Sequence, residues 1–378
     1  MKQTLYKFYG LLHSLKSPTL LFAILQTYFI PSKKTNLESL KMAANWLVYM
    51  QNSDGGYSRK YSFIGARDKS YIETTGYIIP TLINLSDYLK DDFYKQSAFK
   101  AGEWLLKIQN KDGSFSEIDT NQPLAFDTGQ CLIGLNYLYI TLGDKRYLES
   151  AKMASYWLAS NQEYDSSWKR VSYNNQKHSY YSRVASAMLT YADITNDSYI
   201  EKSALKHIEW VLSQQKENGF FKKTSFVEGV APFLHTIVYV VEGLLDSYEI
   251  TKDQKVLNAV IKMSEQFKTI SLERDKVLCS QYDEEYRCKN SEKCVTGIAQ
   301  WAGIALRLGD ILDDNEYRKS AINALKYLKE KQLQSSKMRG GFSASIPFWG
   351  RYGAFDFVNW SNKFFIDSML LLDKQNKL

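Results

Sequence analysis

The chain has 378 residues, of which 44% are hydrophobic, 24% are charged and only 6 are proline. This composition excludes a disordered chain, and the scarcity of proline favours helices over many short strands. The formal net charge of +7 arises from 48 basic and 41 acidic residues. Such a surplus fits an anionic ligand, an anionic membrane surface or an ordinary lysine-rich surface, and no nucleic-acid-binding motif accompanies it.

Residues 1–35 are predicted to be an apolar helical extension that precedes the main domain, residues 36–378. The apolar run of the extension covers residues 19–30. At about 12 residues it is too short to cross a bilayer, and it lacks the small-residue cleavage site of a signal peptide. We therefore expect a packed helix in a cytoplasmic protein, with peripheral contact at the inner membrane as the alternative.

One phrase recurs along the chain, as "WLVYMQNSDGGYS", "WLLKIQNKDGSFS", "WLASNQEYDSSWK" and "WVLSQQKENGFFK". These copies begin at Trp46, Trp104, Trp157 and Trp210. The same period reaches Phe267 and Tyr327, which makes six copies. A fixed period of this length indicates a repeat architecture of stacked supersecondary units.

Each copy carries an amphipathic helix that stops at polar or glycine residues. The segments between the copies are more apolar and richer in small residues, as expected of buried helices. Six outer and six inner helices predict an all-α fold, a single (α/α)6 toroid. The aromatic residues that follow each stop are expected to pack between neighbouring hairpins: Tyr57, Phe115, Trp168, Phe220 and Phe342.

The loops before the inner helices should converge on one end of the central cavity, where helix N-termini favour anionic groups. Glu73 in "YIETTGY" and Asp127 in "AFDTGQ" are predicted to occupy equivalent positions in the first two hairpins. Each is either a helix-capping acid or a carboxylate for acid–base chemistry. His178 and Tyr180 in "HSYYSRVA" complete the predicted catalytic set, since such groups are not needed for packing.

A wider set of residues is predicted to bind substrate, because aromatic faces stack on sugar rings while planar polar groups hold hydroxyls and carboxylates. It consists of Tyr181, Arg183, His235, Asp283, Gln300, Trp349, Arg351, Tyr352, Asn359, Trp360 and Lys363. His235 is equally well interpreted as a core histidine, since it lies in an apolar run.

Three of the four cysteines, Cys279, Cys288 and Cys294, lie close together in sequence. Their spacings of nine and six residues do not match a structural zinc finger. A zinc ion held by one or two of these cysteines with His235 is the less favoured alternative. No metal site and no cofactor are predicted.

The W-L-x-x-Q-x-x-D-G-x-F phrase resembles the repeats of the prenyltransferase and squalene-cyclase superfamily, whose members are α/α toroids. The acidic D-x-D-D signature of the cyclases is absent, and the zinc ligands of the protein prenyltransferases cannot be matched. The phrases "FDTGQ", "HSYYSRVA", "FLHTI", "CVTGIAQ" and "NWSNKFF" are similar to those of bacterial toroid proteins encoded among surface-polysaccharide genes. That likeness implies work on a carbohydrate.

We therefore predict a carbohydrate-active enzyme that acts on an acidic bacterial poly- or oligosaccharide in the toroid cavity. The clustering of Tyr, His and Arg favours a lyase or uronate C5-epimerase over a glycoside hydrolase. Two further hypotheses stay open: a terpenoid or prenyl-transfer enzyme, and a toroid that binds a glycan without catalysis.

Overall fold

The computed structural model describes residues 18–30, 34–62, 67–273 and 277–375. A first helix, α1, covers Pro18–Phe29, and two rings of helices follow it. The outer helices are α2 (Asn36–Tyr49), α4 (Asp92–Ile108), α6 (Lys145–Ser160), α8 (Ser198–Ser213), α10 (Gln254–Leu272) and α12 (Asn315–Lys331). The inner helices are α3 (Ile72–Leu89), α5 (Ala125–Leu142), α7 (Ser182–Thr195), α9 (Leu234–Thr251), α11 (Val295–Ile311) and α13 (Asn359–Gln375).

The inner helices contact one another in chain order, and α13 returns to contact α3, so that the inner ring is closed. Each of the first five inner helices forms a tight hairpin with the outer helix that follows it, while α13 packs against α2 from the start of the chain. The predicted (α/α)6 toroid is therefore confirmed.

In the described part of the chain, four short strands join loops at the end of the ring where the inner helices begin. The strand β1 (Lys60–Ser62) pairs antiparallel with β4 (Asp356–Val358), and β2 (Lys293–Cys294) pairs with β3 (Ser345–Ile346). The first pair ties the first and last inter-helix loops together.

The glutamine of the repeated phrase fastens one outer helix to the next. Gln109 Nε2 donates hydrogen bonds to the carbonyls of Gly113 and Ser150, both at 2.9 Å, and its Oε1 accepts from the Ser150 hydroxyl at 2.7 Å. Ser150 belongs to α6. Equivalent bonds from one outer helix to the next start at Gln51, Gln162, Gln215 and Gln332. The repeat thus encodes the contact between neighbouring hairpins.

The close contact between neighbouring outer helices also requires the glycine of the phrase. Gly113 has a φ of +94°, and a Cβ atom there would lie 2.3 Å from the carbonyl oxygen of Met153 on α6. The turn aromatics Tyr57, Phe115, Trp168, Phe220 and Phe342 are all fully buried. Their predicted packing role is confirmed.

Small residues let the inner helices approach closely near their first turns. A Cβ on Gly76 of α3 would lie 2.4 Å from the carbonyl oxygen of Gln130 on α5. A Cβ on Gly297 of α11 would lie 2.8 Å from the backbone nitrogen of His235 on α9. Side chains from the first turns of these helices are therefore held close together.

Helix α1 lies where the sequence predicts a packed apolar helix. Its Leu20, Ala23 and Ile24 side chains are buried, and Gln26 accepts a hydrogen bond from Ser335, just after α12. Within the part of the chain that the structure describes, no helix combines the length and apolar character that crossing a membrane requires. Residues 1–17 and 31–33 of the predicted extension lie outside the described residues, and its membrane contact and the domain boundary at residue 36 stay predictions.

Candidate functional site

A cavity of about 670 Å³ opens at the end of the ring where the inner helices begin. Eight of the fifteen residues that the sequence predicts for the site line it. They are Glu73, Asp127, Tyr180, Tyr181, His235, Arg351, Tyr352 and Trp360. Polar groups that converge on a concave, largely aromatic surface are what a binding site for a small polar molecule needs.

Asp127 is 3% exposed, and its Oδ2 atom has no hydrogen-bond partner among the described residues. Burial, followed by the charges of Glu73 and Glu117, raises the pKa of Asp127 well above its ordinary value. A buried carboxyl oxygen without a partner costs stability, so its presence in a cavity indicates a functional role. Its surroundings therefore favour the protonated form of Asp127.

Glu73 is half-buried, and burial raises its pKa to about 7. A hydrogen bond with the Tyr71 hydroxyl and the charges of Arg183 and Arg59 act in the opposite direction. Glu73 therefore changes its charge near neutral pH, in the same cavity in which burial favours the protonated form of Asp127. Two carboxyl groups with different proton affinities are a frequent basis of acid–base catalysis.

Neither acid caps its helix, since Tyr71 and Leu124 occupy the capping positions. Glu73 is the second residue of α3 and Asp127 is the third of α5. The prediction that they occupy equivalent positions is therefore wrong by one residue. One residue corresponds to a rotation of about 100° around an α-helix. The two side chains therefore leave their helices in different directions relative to the helix start, and both line the cavity.

Two arginines reach the cavity. The Arg59 guanidinium lies over the Tyr71 ring at 5.2 Å and pairs with Asp68 at 2.8 Å. Arg351 is exposed, and its guanidinium has no carboxylate within ion-pair distance among the described residues, while its backbone N–H donates to Glu292. Arg351 is thus free to bind an anionic group of a ligand.

His235 is held in one tautomer by a buried chain of hydrogen bonds. The carboxylate of Glu242 pairs with Arg183 at 2.8 Å and accepts a bond from Gln300 Nε2 at 3.0 Å. The amide oxygen of Gln300 must therefore face His235 Nδ1, at 2.6 Å. Nδ1 consequently carries the proton, since an amide oxygen only accepts.

Burial, with a minor effect of the Arg183 charge, lowers the pKa of His235 to about 3. The ring is therefore neutral at physiological pH, and its Nε2 lone pair is left as an acceptor in a residue that lines the cavity. Arg183 and Gln300, predicted to bind substrate, do not line the cavity. Gln300 holds His235, and Arg183 is paired with Glu242.

His178 does not line the cavity. Its Nε2 lies 3.0 Å from the carbonyl oxygen of Tyr173, and its ring stacks on Tyr180 with centroids 4.7 Å apart. Burial lowers its pKa. Burial also raises the pKa of Tyr180 well above its ordinary value, so that Tyr180 is a poor base near neutral pH.

Four further predicted residues also lie outside the cavity lining. Asn359 donates to the Ser58 carbonyl and the Thr74 hydroxyl, and Lys363 pairs with Asp367 at 2.7 Å. These contacts are structural. Asp283 lies in a surface loop, where its carboxylate accepts from Arg287 at 2.8 Å, and Trp349 is 42% exposed.

The cysteine cluster contains a disulfide. Cys279 and Cys288 are bonded, with the two sulfur atoms 2.05 Å apart, and Cys294 is buried with a free thiol. The two sulfur atoms of the disulfide are therefore not available to a metal. Among the described residues, no three His, Cys, Asp or Glu side chains are grouped as metal ligands would be.

Sequence reasoning missed several residues of the cavity wall, notably Arg59, Tyr71, Phe126, Tyr173 and Tyr239. Tyr239 lies one helical turn after His235, a spacing that could have identified it. Arg59 precedes an inner helix as the predicted residues do, and the aromatic and basic residues of its segment "YSRKYSF" are a signal that could have identified it.

The family model for the prenyltransferase alpha-alpha toroid domain matches residues 3–224 and 148–285 of this sequence. The chain belongs to this family. No curated protein matches the chain in sequence.

Several solved structures share the fold at low sequence identity. An unsaturated glucuronyl hydrolase specific for heparin is 15% identical and has a TM-score of 0.73, with 91% of this chain and 98% of that chain covered. The unsaturated glucuronyl hydrolase of Bacillus sp. GL1 is 12% identical, with a TM-score of 0.72 and coverages of 90% and 97%. Cellobiose 2-epimerase from Bacillus thermoamylovorans is 13% identical, with a TM-score of 0.71 and coverages of 89% and 97%.

Proposed function

We propose that the protein is a carbohydrate-active enzyme that cleaves a glycosidic bond of an acidic oligosaccharide in the cavity. The observation that carries this proposal is the meeting of two carboxyl groups, Asp127 and Glu73, in one aromatic cavity with different proton affinities. Glycoside hydrolysis needs such a pair, one group to donate a proton and one to accept or attack.

The roles follow from the two protonation states. Asp127, neutral and without a partner on Oδ2, gives its proton to the glycosidic oxygen as the bond to the anomeric carbon breaks. A water molecule adds to that carbon and gives a proton to the ionised form of Glu73. Each atom is accounted for, and one proton has moved from Asp127 to Glu73.

The acidic character of the substrate is inferred from Arg351. An unpaired guanidinium at a cavity matches a carboxylate in planar, bidentate geometry. The names of the glucuronyl hydrolases that share the fold agree with this inference. The rings of Tyr173 and Trp360 in the lining suit the apolar face of a sugar ring.

In the sequence, the cluster of Tyr, His and Arg favoured a lyase or C5-epimerase. The contacts of these residues support that reaction less well. His178 is hydrogen-bonded outside the lining, Tyr180 is a poor base, and Arg183 is paired with Glu242. Their catalytic and binding roles stay predictions.

Epimerisation is the second candidate, and His235 is the observation that favours it. A neutral imidazole with its Nε2 at the cavity is suited to remove a proton from a carbon next to a carbonyl, and a cellobiose epimerase shares the fold. Turnover of the saturated substrates in deuterium oxide separates the two reactions, because epimerisation exchanges a carbon-bound hydrogen with solvent and hydrolysis of a saturated glycoside does not.

The test is turnover of unsaturated glucuronyl disaccharides, saturated uronate oligosaccharides and cellobiose, by wild type and by the Asp127→Asn variant. We expect hydrolysis of a uronate substrate, and a loss of about 10²- to 10⁴-fold in kcat in the variant with KM little changed. Asp193→Asn, on α7 and outside the cavity lining, is the matched control. Full kcat in Asp127→Asn would contradict the assignment.

A toroid without catalytic activity and a prenyl-transfer enzyme would each give a different result in these assays. A toroid that only binds glycans would bind a uronate oligosaccharide and leave it intact. A prenyl-transfer enzyme would bind an isoprenoid diphosphate in place of the sugar.

A further inference from the structure

A second groove, of about 880 Å³, adjoins the mouth of the catalytic cavity. Asn175 lines both spaces. The groove lies between the loop that precedes α7 and the loop that precedes α9, with residues 283–289 at its far side. Five lysines line it: Lys169, Lys177, Lys222, Lys223 and Lys289.

Most of the acidic side chains in the groove are already neutralised. Asp283 accepts from Arg287 at 2.8 Å and has Lys289 at 3.4 Å, and Glu284 pairs with Lys216 at 3.0 Å. Their charges therefore do not cancel those of the remaining lysines.

Three of the lysines lack an ion-pair partner. Lys169, Lys222 and Lys223 are exposed, and no carboxylate of the described residues lies within ion-pair distance of them. Among the lining acids, Glu228 has no basic partner in the described part of the chain. The groove thus presents an excess of positive charge that a ligand can neutralise.

The loops of the groove are fixed to the cavity wall. The Ser179 backbone N–H and hydroxyl donate to the carbonyls of Lys223 and Lys222, at 3.0 and 2.6 Å. Ser179 immediately precedes Tyr180 and Tyr181, which line the cavity. The backbone of both lysines is therefore anchored to the segment that leads into the cavity wall.

An aromatic pair lies in the cavity wall, on the same loops that form the groove. Tyr173 is 49% exposed, lines the cavity and meets the Phe226 ring edge-on with centroids 6.0 Å apart. The Asn174 amide donates to the carbonyl of Phe226 at 3.0 Å, which joins the two loops. An aromatic face beside lysines is a surface on which a charged sugar chain can stack and pair.

We propose that the groove binds the rest of an anionic oligosaccharide whose reacting end occupies the cavity. The substrate class is an oligosaccharide with a carboxylate or sulfate on more than one sugar unit. The position of the reacting end rests on the proposed function, whereas the groove's affinity for an anionic sugar chain is independent of it.

The test compares two triple variants with the same change in net charge. One is Lys169→Glu with Lys222→Glu and Lys223→Glu. The control is Lys145→Glu with Lys152→Glu and Lys202→Glu, three exposed lysines of the outer helices. Thermal unfolding of both checks that they are folded.

Binding is measured by calorimetry at two salt concentrations with a heparin-derived hexasaccharide, the corresponding disaccharide and cellohexaose. We expect the groove variant to weaken hexasaccharide binding at least about 10-fold, with a smaller salt dependence, since three charges near the ligand are reversed. Disaccharide affinity should change less than about twofold, as should both affinities in the control.

Equal weakening in both triple variants, or none in either, would overturn the proposal, as would binding of cellohexaose as tight as that of the hexasaccharide. Equally tight, groove-dependent binding of a single-stranded oligonucleotide would also overturn it, because the groove would then recognise negative charge and not an anionic sugar chain.

Groove-dependent hexasaccharide binding without turnover would contradict only the proposed reaction. Turnover that is insensitive to the groove variant, together with unchanged binding, would contradict only this inference.

Discussion

Asp127 and Glu73 show how the surroundings of a carboxyl group decide its chemistry. Asp127 is enclosed, near two other carboxyl groups and without a partner on one oxygen among the described residues. Glu73 has a tyrosine hydroxyl and two arginines nearby, which partly offset its burial. The resulting difference in proton affinity is what assigns the acid and the base.

The Glu73→Gln variant should be more stable than wild type above neutral pH. The pKa of Glu73 in the folded state, about 7, lies above the ordinary value of 4.5. Between pH 4.5 and pH 7, the folded protein therefore keeps a proton on Glu73 that the unfolded chain has lost. Wild type therefore loses stability as pH rises from 4.5 to 7. Because the side chain is half-buried, we expect a gain on the order of 1–2 kcal/mol at pH 8 in the variant.

Urea unfolding of both proteins at pH 4 and pH 8 checks this expectation. Glu149→Gln, on α6 and away from the cavity lining, is the control. A stability difference between wild type and Glu73→Gln that does not change with pH would show that the Glu73 pKa is not raised.

The tautomer of His235 is a second prediction at this scale. Nitrogen-15 NMR should show the proton on Nδ1 and a ring that stays neutral down to about pH 4, since its pKa is about 3. Gln300→Leu removes the acceptor and should allow the Nε2–H form to appear. A His235 that titrates near 6.5 in wild type would contradict the proposed hydrogen-bond chain.

The sequence identified individual residues of the cavity lining where a suitable residue type stood at a suitable position in its hairpin. His235, Arg351 and Tyr352 were found because they lie at the start of an inner helix or in the loop before one. Asn359 also lies at the start of an inner helix. Its side chain, however, bonds to Ser58 and Thr74 near the start of the ring, and so helps to close it. The sequence could not distinguish the two cases, because the partners of Asn359 are some 300 residues away.

At the level of elements, the repeated phrase predicted the helices and their stops well, because helix periodicity and turn residues are local signals. The role of its glutamine could not be predicted. Gln109 acts through Ser150, which belongs to the next repeat, and only the packed structure shows that contact.

Two glycines allow the contact between outer helices to be tested. Gly113 and Gly143 both have positive φ, +94° and +67°, but a Cβ at Gly143 would meet nothing within 4 Å. Gly143→Ala should cost about 1 kcal/mol, from backbone conformation alone. Gly113→Ala should cost about 3 kcal/mol or more, since α6 must also move.

Denaturant unfolding of the two variants measures the difference. Equal losses of stability would mean that the turn can shift away from Met153 at no cost. The close approach of outer helices would then contribute little to the fold.

The whole molecule is a ring whose two ends meet. The last inner helix, α13, packs against α2, and Asn362 Nδ2 donates to the carbonyls of Ala43 and Gly340, at 3.2 and 2.9 Å. An open stack of repeats can lose its end units independently, whereas a closed ring has no end unit. The ring was predictable from six copies of one phrase, but not the pairing of the last helix with the first.

Asn362→Ala should therefore weaken both ends of the chain at once. We expect a loss of about 1–2 kcal/mol, with faster amide hydrogen exchange in α2 as well as in α13. Asn258→Ala, on α10 and away from the closure, is the control. Faster exchange confined to α13 would show that the closure does not couple the two ends.

The most direct test of the central claim is a crystal structure of the Asp127→Asn variant with a uronate oligosaccharide. We predict the glycosidic bond beside Asn at position 127 and Glu73, with a uronate carboxylate paired with Arg351. Sugar bound only outside the cavity, or a bound sugar whose glycosidic bond lies far from both residues, would contradict the proposed function.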